Sequence, residues 1–329
     1  MTLLVITIAI ALAFDFTNGF HDTANAVATS VSTRALSPRM AVLVAALANF
    51  AGVFLTAAVA KTVGKGIIDT SFANPKTVLA ALLGAIVWNL LTWWLGLPSS
   101  SSHALIGGLV GAALAQTGEK GVQWHGLAHK VVIPALWAPT IAFAAAFVLL
   151  LAIYWVFQWM KPGLANRSFR FGQLLSGTWV AFNHGSNDAQ KTMAVIALAL
   201  QTHGTIHSFY IPRWVQIAAG VAIGLGTYAG GWRIMRTLGQ RIIQIDPPAG
   251  FAAQAMSGAV IYGSTKYGYP LSTTHVVSGA VMGAGATKRL SAVRWGIAGN
   301  IVFAWLLTIP AAAAVAAALW FPVKWIFGA

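Results

Sequence analysis

Ten mostly apolar runs follow one another along the chain, separated by short polar segments: 2–33, 40–60, 77–97, 103–117, 131–157, 171–200, 213–232, 249–265, 270–287 and 295–320. A helix needs about 20 such residues to cross the hydrocarbon layer of a membrane, and most of the runs approach or exceed that length. Two are interrupted. Run 2–33 contains Asp15, Asn18, Gly19 and Asp22, and run 171–200 contains Asn183, His184, Asn187, Asp188 and Lys191. Each of these two is expected to be a bent helix or a pair of half-helices. The pattern predicts an all-α polytopic membrane protein with about 10–12 transmembrane or re-entrant helices.

Five runs lie on each side of the polar stretch 158–170, and the two sides repeat each other. Residues 16–25 (FTNGFHDTAN) align without gaps on 182–191 (FNHGSNDAQK), an offset of 166. Pro98 to His103, followed by Gly107 and Gly111, aligns on Pro270 to His275, followed by Gly279 and Gly283, an offset of 172. Two motifs in one order at nearly one offset mark a duplication: a first repeat over 1–157, a cytoplasmic linker at 158–170 and a second repeat over 171–329. An odd number of crossings per repeat, here five, turns the second repeat upside down relative to the first. Placing Arg34, Arg39, Lys161, Arg167, Arg170 and the bases of 233–241 and 288–294 inside gives the larger share of positive charge to the cytoplasm. Both chain ends then lie outside, in a multi-pass protein of the inner (plasma) membrane.

Composition sharpens this picture at three points. Only 8% of the 329 residues are charged and 58% are hydrophobic, against roughly 25% charged in soluble domains, so a soluble fold is excluded. The formal charge of +14 comes from bases scattered in twos and threes between apolar runs, which suits loops facing anionic lipid headgroups and not a nucleic acid. Cysteine is absent, which removes disulfides and thiolate chemistry. The first run lacks a basic leader and a small-residue cleavage site and reads as part of the mature protein. Tryptophans at run ends (Trp93, Trp94, Trp155, Trp159, Trp320 and Trp325) form an expected interfacial belt.

Of the six acidic residues, Asp15, Asp22 and Asp188 sit within apolar runs. An acid in hydrocarbon costs at least ~2.5 kcal/mol and ordinarily faces a polar interior with a task there. Asp22 and Asn25 share a helix face, as do Asp188 and Lys191; carboxylates suit a cation or proton, whereas Asn and Lys donors suit an anion. Alone, either Asp could cap a helix, but two at equivalent positions, one beside a buried lysine, favour function. The hydroxyl clusters after Pro98 and Pro270 fall on the first turn of the next run, where free amides and the positive dipole end attract an anion. Two inverted copies, Ser100–Ser102 and Ser272–Thr274, could bracket one tetrahedral oxyanion. His103 and His275 read as hairpin-fixing residues or, less readily, as proton-linked groups. The glycine pairs after them read as close-packing positions. No metal site and no cofactor are indicated. Asp15 has no counterpart in the second repeat, where Ala181 aligns with it, and is a weaker candidate.

At these motifs the sequence resembles the PiT family of inorganic phosphate transporters, which includes bacterial Pit permeases and sodium-phosphate symporters. The resemblance covers essentially the whole chain. It implies import of phosphate by symport with a proton or sodium ion, arsenate as a competitor, an inverted-repeat fold and a homodimer. It further implies phosphate ligands among Ser100, Ser101, Ser102, Ser272, Thr273 and Thr274, with Asn25 and Lys191 nearby, and cation coupling by Asp22, Asp188 and Asn187. One departure stands out: where sodium-coupled members carry a Glu before the second hydroxyl motif, this chain has Gln254. That favours protons, with phosphate carried as a neutral metal complex in one version. Rival readings are a permease for sulfate or another tetrahedral oxyanion, an intramembrane phosphatase using a serine of 99–102, and a passive channel. No Ser-His-Asp order supports the enzyme, and an inverted duplication serves alternating access better than catalysis.

Overall fold

The computed structural model describes residues 1–328. Among them every regular element is helical, apart from an isolated pairing of Ile68 with Val122. The first half holds α1 (Thr2–Ser32), α2 (Pro38–Gly52), α3 (Ala58–Gly66), α4 (Pro75–Leu95), α5 (Ser101–Thr117), a short α6 (Trp124–Leu127) and α7 (Ile133–Val156). The second holds α8 (Pro162–Thr202), α9 (Arg213–Ala229), a short α10 (Trp232–Arg236), α11 (Pro247–Lys266), α12 (Thr273–Lys288) and α13 (Trp295–Ile326).

Equivalent helices start with equivalent chemistry. α4 opens with Asn74 accepting the Thr77 amide at 3.0 Å and Pro75 behind it; α11 opens with Asp246 accepting the Ala249 amide at 3.0 Å and Pro247 behind it. The expected breaks in the first and sixth runs do not occur. α1 and α8 are each one continuous helix, because their polar side chains find partners on neighbouring helices and the backbone ladder need not open to serve them. Gly19 and Gly185 are contact points: a Cβ at Gly19 would strike the Ile223 carbonyl of α9, and one at Gly185 the Asn49 carbonyl of α2. At 41 residues α8 runs about 60 Å, so it extends beyond the bilayer. Residues 162–170, read from polarity as linker, are therefore its first turns, and the connection between the halves narrows to 157–161.

The α4–α5 and α11–α12 pairs are re-entrant hairpins. The outer ends of each pair meet, Thr77 with Gln116 and Asp246 with Lys288, while the tips of both pairs, at Ser102 and at Leu271, meet at the one buried Lys191, so each pair turns back midway without reaching the opposite face. Five full crossings per half thus give way to three, α1, α2–α3 and α7 against α8, α9–α10 and α13, plus one hairpin. The number stays odd and the second half stays inverted. Close packing fixes the hairpins. Gly107 and Gly111 press on the Ile309 and Ala313 carbonyls of α13, while Gly279 and Gly283 press on the Pro139 and Phe143 carbonyls of α7. Each half's last helix therefore holds the other half's hairpin.

Two apolar cores result, one around the N-terminal half of α1, α3–α5 and the C-terminal half of α8, the other around the C-terminal half of α1, α7, α11 and α12. Between them, at the midpoint of α1, lies a layer of buried polar side chains. Outward surfaces are apolar, with Trp94, Trp155, Trp159 and Trp325 exposed; Trp320 is buried and does not belong to the belt.

Candidate oxyanion and cation site

The polar layer is built by α1 and α8 crossing beside the N-termini of α5 and α12. Ser100 caps α5 by accepting the His103 amide at 3.1 Å, and Ser272 caps α12 by accepting the His275 amide at 3.2 Å. With those amides satisfied, the first amides of each helix, at Ser101 and Ser102 and at Thr273 and Thr274, keep no intrahelical acceptor. The caps orient the hydroxyls that follow. Ser101 Oγ lies 2.6 Å from Asn18 Oδ1 and 2.8 Å from Asp22 Oδ2. Asn25 Nδ2 donates to Thr274 Oγ1 at 2.9 Å and Thr273 Oγ1 at 3.3 Å. Lys191 Nζ donates to Asp188 Oδ1 at 2.5 Å, to Ser102 Oγ at 2.5 Å and to the Leu271 carbonyl at 2.9 Å. One ammonium thereby ties both hairpin tips to α8. All these side chains are at most 2% exposed, so the site is closed to both faces.

His184 completes it. Its Nδ1 lies 2.9 Å from Asn49 Oδ1, and Asn49 is held by donating to Thr227, whose own hydroxyl donates to the Ile223 carbonyl. That chain of donors makes Asn49 Oδ1 an acceptor and places a proton on His184 Nδ1. Nε2 then faces Asp188 Oδ2 at 3.3 Å and Asp22 Oδ2 at 3.9 Å. Three acceptors around one point require a proton or a metal cation between them. His21 Nδ1 steadies Asp22 from the far side at 2.6 Å.

The sequence profile described as "Phosphate transporter family" matches residues 18–316. This chain belongs to the phosphate transporter family. It is 49% identical to the probable low-affinity inorganic phosphate transporter of Rhizobium meliloti over 97% of this chain and 96% of that one. A relative with the same description from Bacillus subtilis is 44% identical over 99% of both chains, and one from Mycobacterium bovis is 49% identical over 99% of this chain and 79% of its own. The solved structure titled "The sodium-dependent phosphate transporter" superposes with a TM-score of 0.90 at 26% identity, over 99% of this chain and all of that one. The motif resemblance, the all-helical fold and the multi-pass membrane character of this family member stand on these matches.

Within the family member's site, the sequence candidates separate. Asp22, Asn25, Ser101, Ser102, Asp188, Lys191, Thr273 and Thr274 come together. Ser100 and Ser272 stand one step back, their hydroxyl oxygens engaged as caps. Asn187 donates to Thr265 Oγ1 and the Tyr269 carbonyl, anchoring the second hairpin. Gln254 binds Ser176, Ser30 and the Ala26 carbonyl, a clamp between α11, α1 and α8 away from the carboxylates. His103 and His275 lie behind the tips, ring centres 4.7 Å apart, with His275 stacked on Trp305 at 4.0 Å beside a cavity of about 360 Å³ between α7 and α13. Asn18 and His184 had no assigned role in the motifs. A signal was present: they are equivalent at the 166 offset, and His184 stands one turn from Asp188 on the same face.

Proposed function

We propose that this member of the phosphate transporter family imports inorganic phosphate across the inner membrane by symport with a cation, through alternating access. The observation that carries the reading is the meeting of two inverted hydroxyl-bearing helix N-termini with Lys191 and the Asp22–His184–Asp188 cluster in one closed midplane site. Helix-start amides, Ser and Thr hydroxyls and the ammonium supply donors for a tetrahedral oxyanion. The carboxylates and His184 Nε2 supply acceptors. Hydrogen phosphate carries an O–H to give to such an acceptor and sulfate carries none, so the mixed set favours phosphate. The same acceptors take the coupling cation. Gln254 is engaged as a clamp and adds no ligand to this cluster, and His184 within it favours a proton. A divalent cation travelling with phosphate would be held by Asp22, His184 and Asp188, whose ligand atoms lie within 4.8 Å of one another. Parting of either hairpin from α1 and α8 would open the site to its own face.

Labelled phosphate uptake into proteoliposomes under imposed proton, sodium or no gradient tests the reading. Uptake should follow a proton gradient, fall with arsenate and resist sulfate. Asp22→Asn should insert normally and lose gradient-driven uptake. Uptake indifferent to every gradient removes the symport assignment, and strong inhibition by sulfate moves the substrate.

A further inference from the structure

Asp15 lies on α1 two turns before Asp22, and its carboxyl is fully buried with neither oxygen in a hydrogen bond. Its polar neighbours are Thr192 of α8 and Asn18, with Asp188 and His184 beyond them. The Thr192 hydroxyl is itself buried and without a partner, and the Asn18 carbonyl oxygen is taken by Ser101. Asp22 and Asp188 are different in kind: each has a donor on it, His21 in one case and Lys191 in the other.

The charged and titratable groups around this point are few. α8 brings His184, Asp188 and Lys191, and α1 itself brings His21 and Asp22. The buried faces of α2, α4, α9 and α11 add no acid or base, and His103 and His275 turn away into the cavity against Trp305. An ionised carboxylate that is fully buried and accepts no hydrogen bond is not sustained in such a place, whereas a carboxylic acid is. A metal ion would need several oxygen ligands, and only one free hydroxyl is at hand.

We propose that Asp15 carries a proton in the closed conformation and is a second coupling site, separate from the Asp22–His184–Asp188 cluster and paired with Thr192. When the hairpins part and water reaches α1, the carboxyl O–H bond breaks, its proton passes to water and the carboxylate stays behind, solvated. Return to the closed state requires a proton to be taken up again. The inference deepens the symport reading and its coupling consequence rests on it.

Infrared difference spectra of the purified protein in lipid test the proton directly. A band from a buried protonated carboxyl should be present, shift in heavy water, disappear in Asp15→Asn, persist in Asp22→Asn and move in Thr192→Val. In proteoliposomes, Asp15→Asn should lose the acceleration of phosphate uptake by a proton gradient, and Asp15→Glu should restore it. A band that survives in Asp15→Asn, or an unchanged gradient response in a monodisperse Asp15→Asn protein, overturns the proposal. Wild-type protein that shows the Asp15 band but no gradient-driven uptake overturns the symport reading and upholds the protonated site.

Discussion

Lys191 is the one lysine among the buried groups of the site, and its three contacts join a carboxylate, a hydroxyl of the first hairpin and a carbonyl of the second. Removing one member of a buried ion pair leaves the other charge without compensation, at a cost of about 3–5 kcal/mol. Lys191→Met should therefore lower the thermal midpoint of the detergent-solubilised protein markedly. Adding Asp188→Asn should recover most of that loss, because the orphaned charge goes with it, while phosphate uptake stays absent in both proteins. A double variant no more stable than Lys191→Met would show that the pair's charge is not what the fold depends on. The exchange of Asn25 for Lys191 between the repeats also breaks the site's symmetry: α1 offers an amide to the second hairpin, and α8 offers an ammonium to both.

At the scale of elements, the hairpins are positioned by glycine more than by any polar contact. Gly111 against Ala313 and Gly283 against Phe143 bring helix backbones to a distance that admits no side chain. Gly111→Leu or Gly283→Leu should destabilise the protein by more than the ~1–3 kcal/mol typical of overpacking, since the obstructing atoms are backbone. Gly163→Ala, with open space around it, should be neutral or slightly stabilising. Thermal unfolding in detergent separates these outcomes. Equal effects at all three sites would argue against the packing seen here.

Over the whole molecule, the inverted arrangement sets the two hairpins on opposite faces. The natural absence of cysteine makes this measurable without background. Ser71→Cys and Glu119→Cys, flanking the first hairpin, should react with an impermeant thiol reagent from one face, and Gln244→Cys and Arg289→Cys, flanking the second, from the other. Ser99→Cys, buried at the first tip, should resist the reagent from both faces in the closed state. Labelling of all four flanking sites from one side would remove the inversion.

The membrane class, the inverted duplication and the candidacy of Asp22, Asp188, Lys191 and the two hydroxyl clusters can all be read from the amino-acid sequence. These are legible because apolar runs, a repeated motif and an acid in hydrocarbon are local facts of composition and spacing. That α1 and α8 run unbroken emerges only in three dimensions, since whether a polar residue opens a helix depends on the partner it meets across space. Three-dimensional packing likewise makes 98–117 and 270–287 arms of re-entrant hairpins. That depends on both tips meeting Lys191 inside the bundle, whereas apolar length alone fits a full crossing equally well. Asn187 and Gln254 stand among plausible cation ligands in the sequence and act as anchors in the fold. Asn18 and His184 do the reverse, because a side chain's role follows from what faces it.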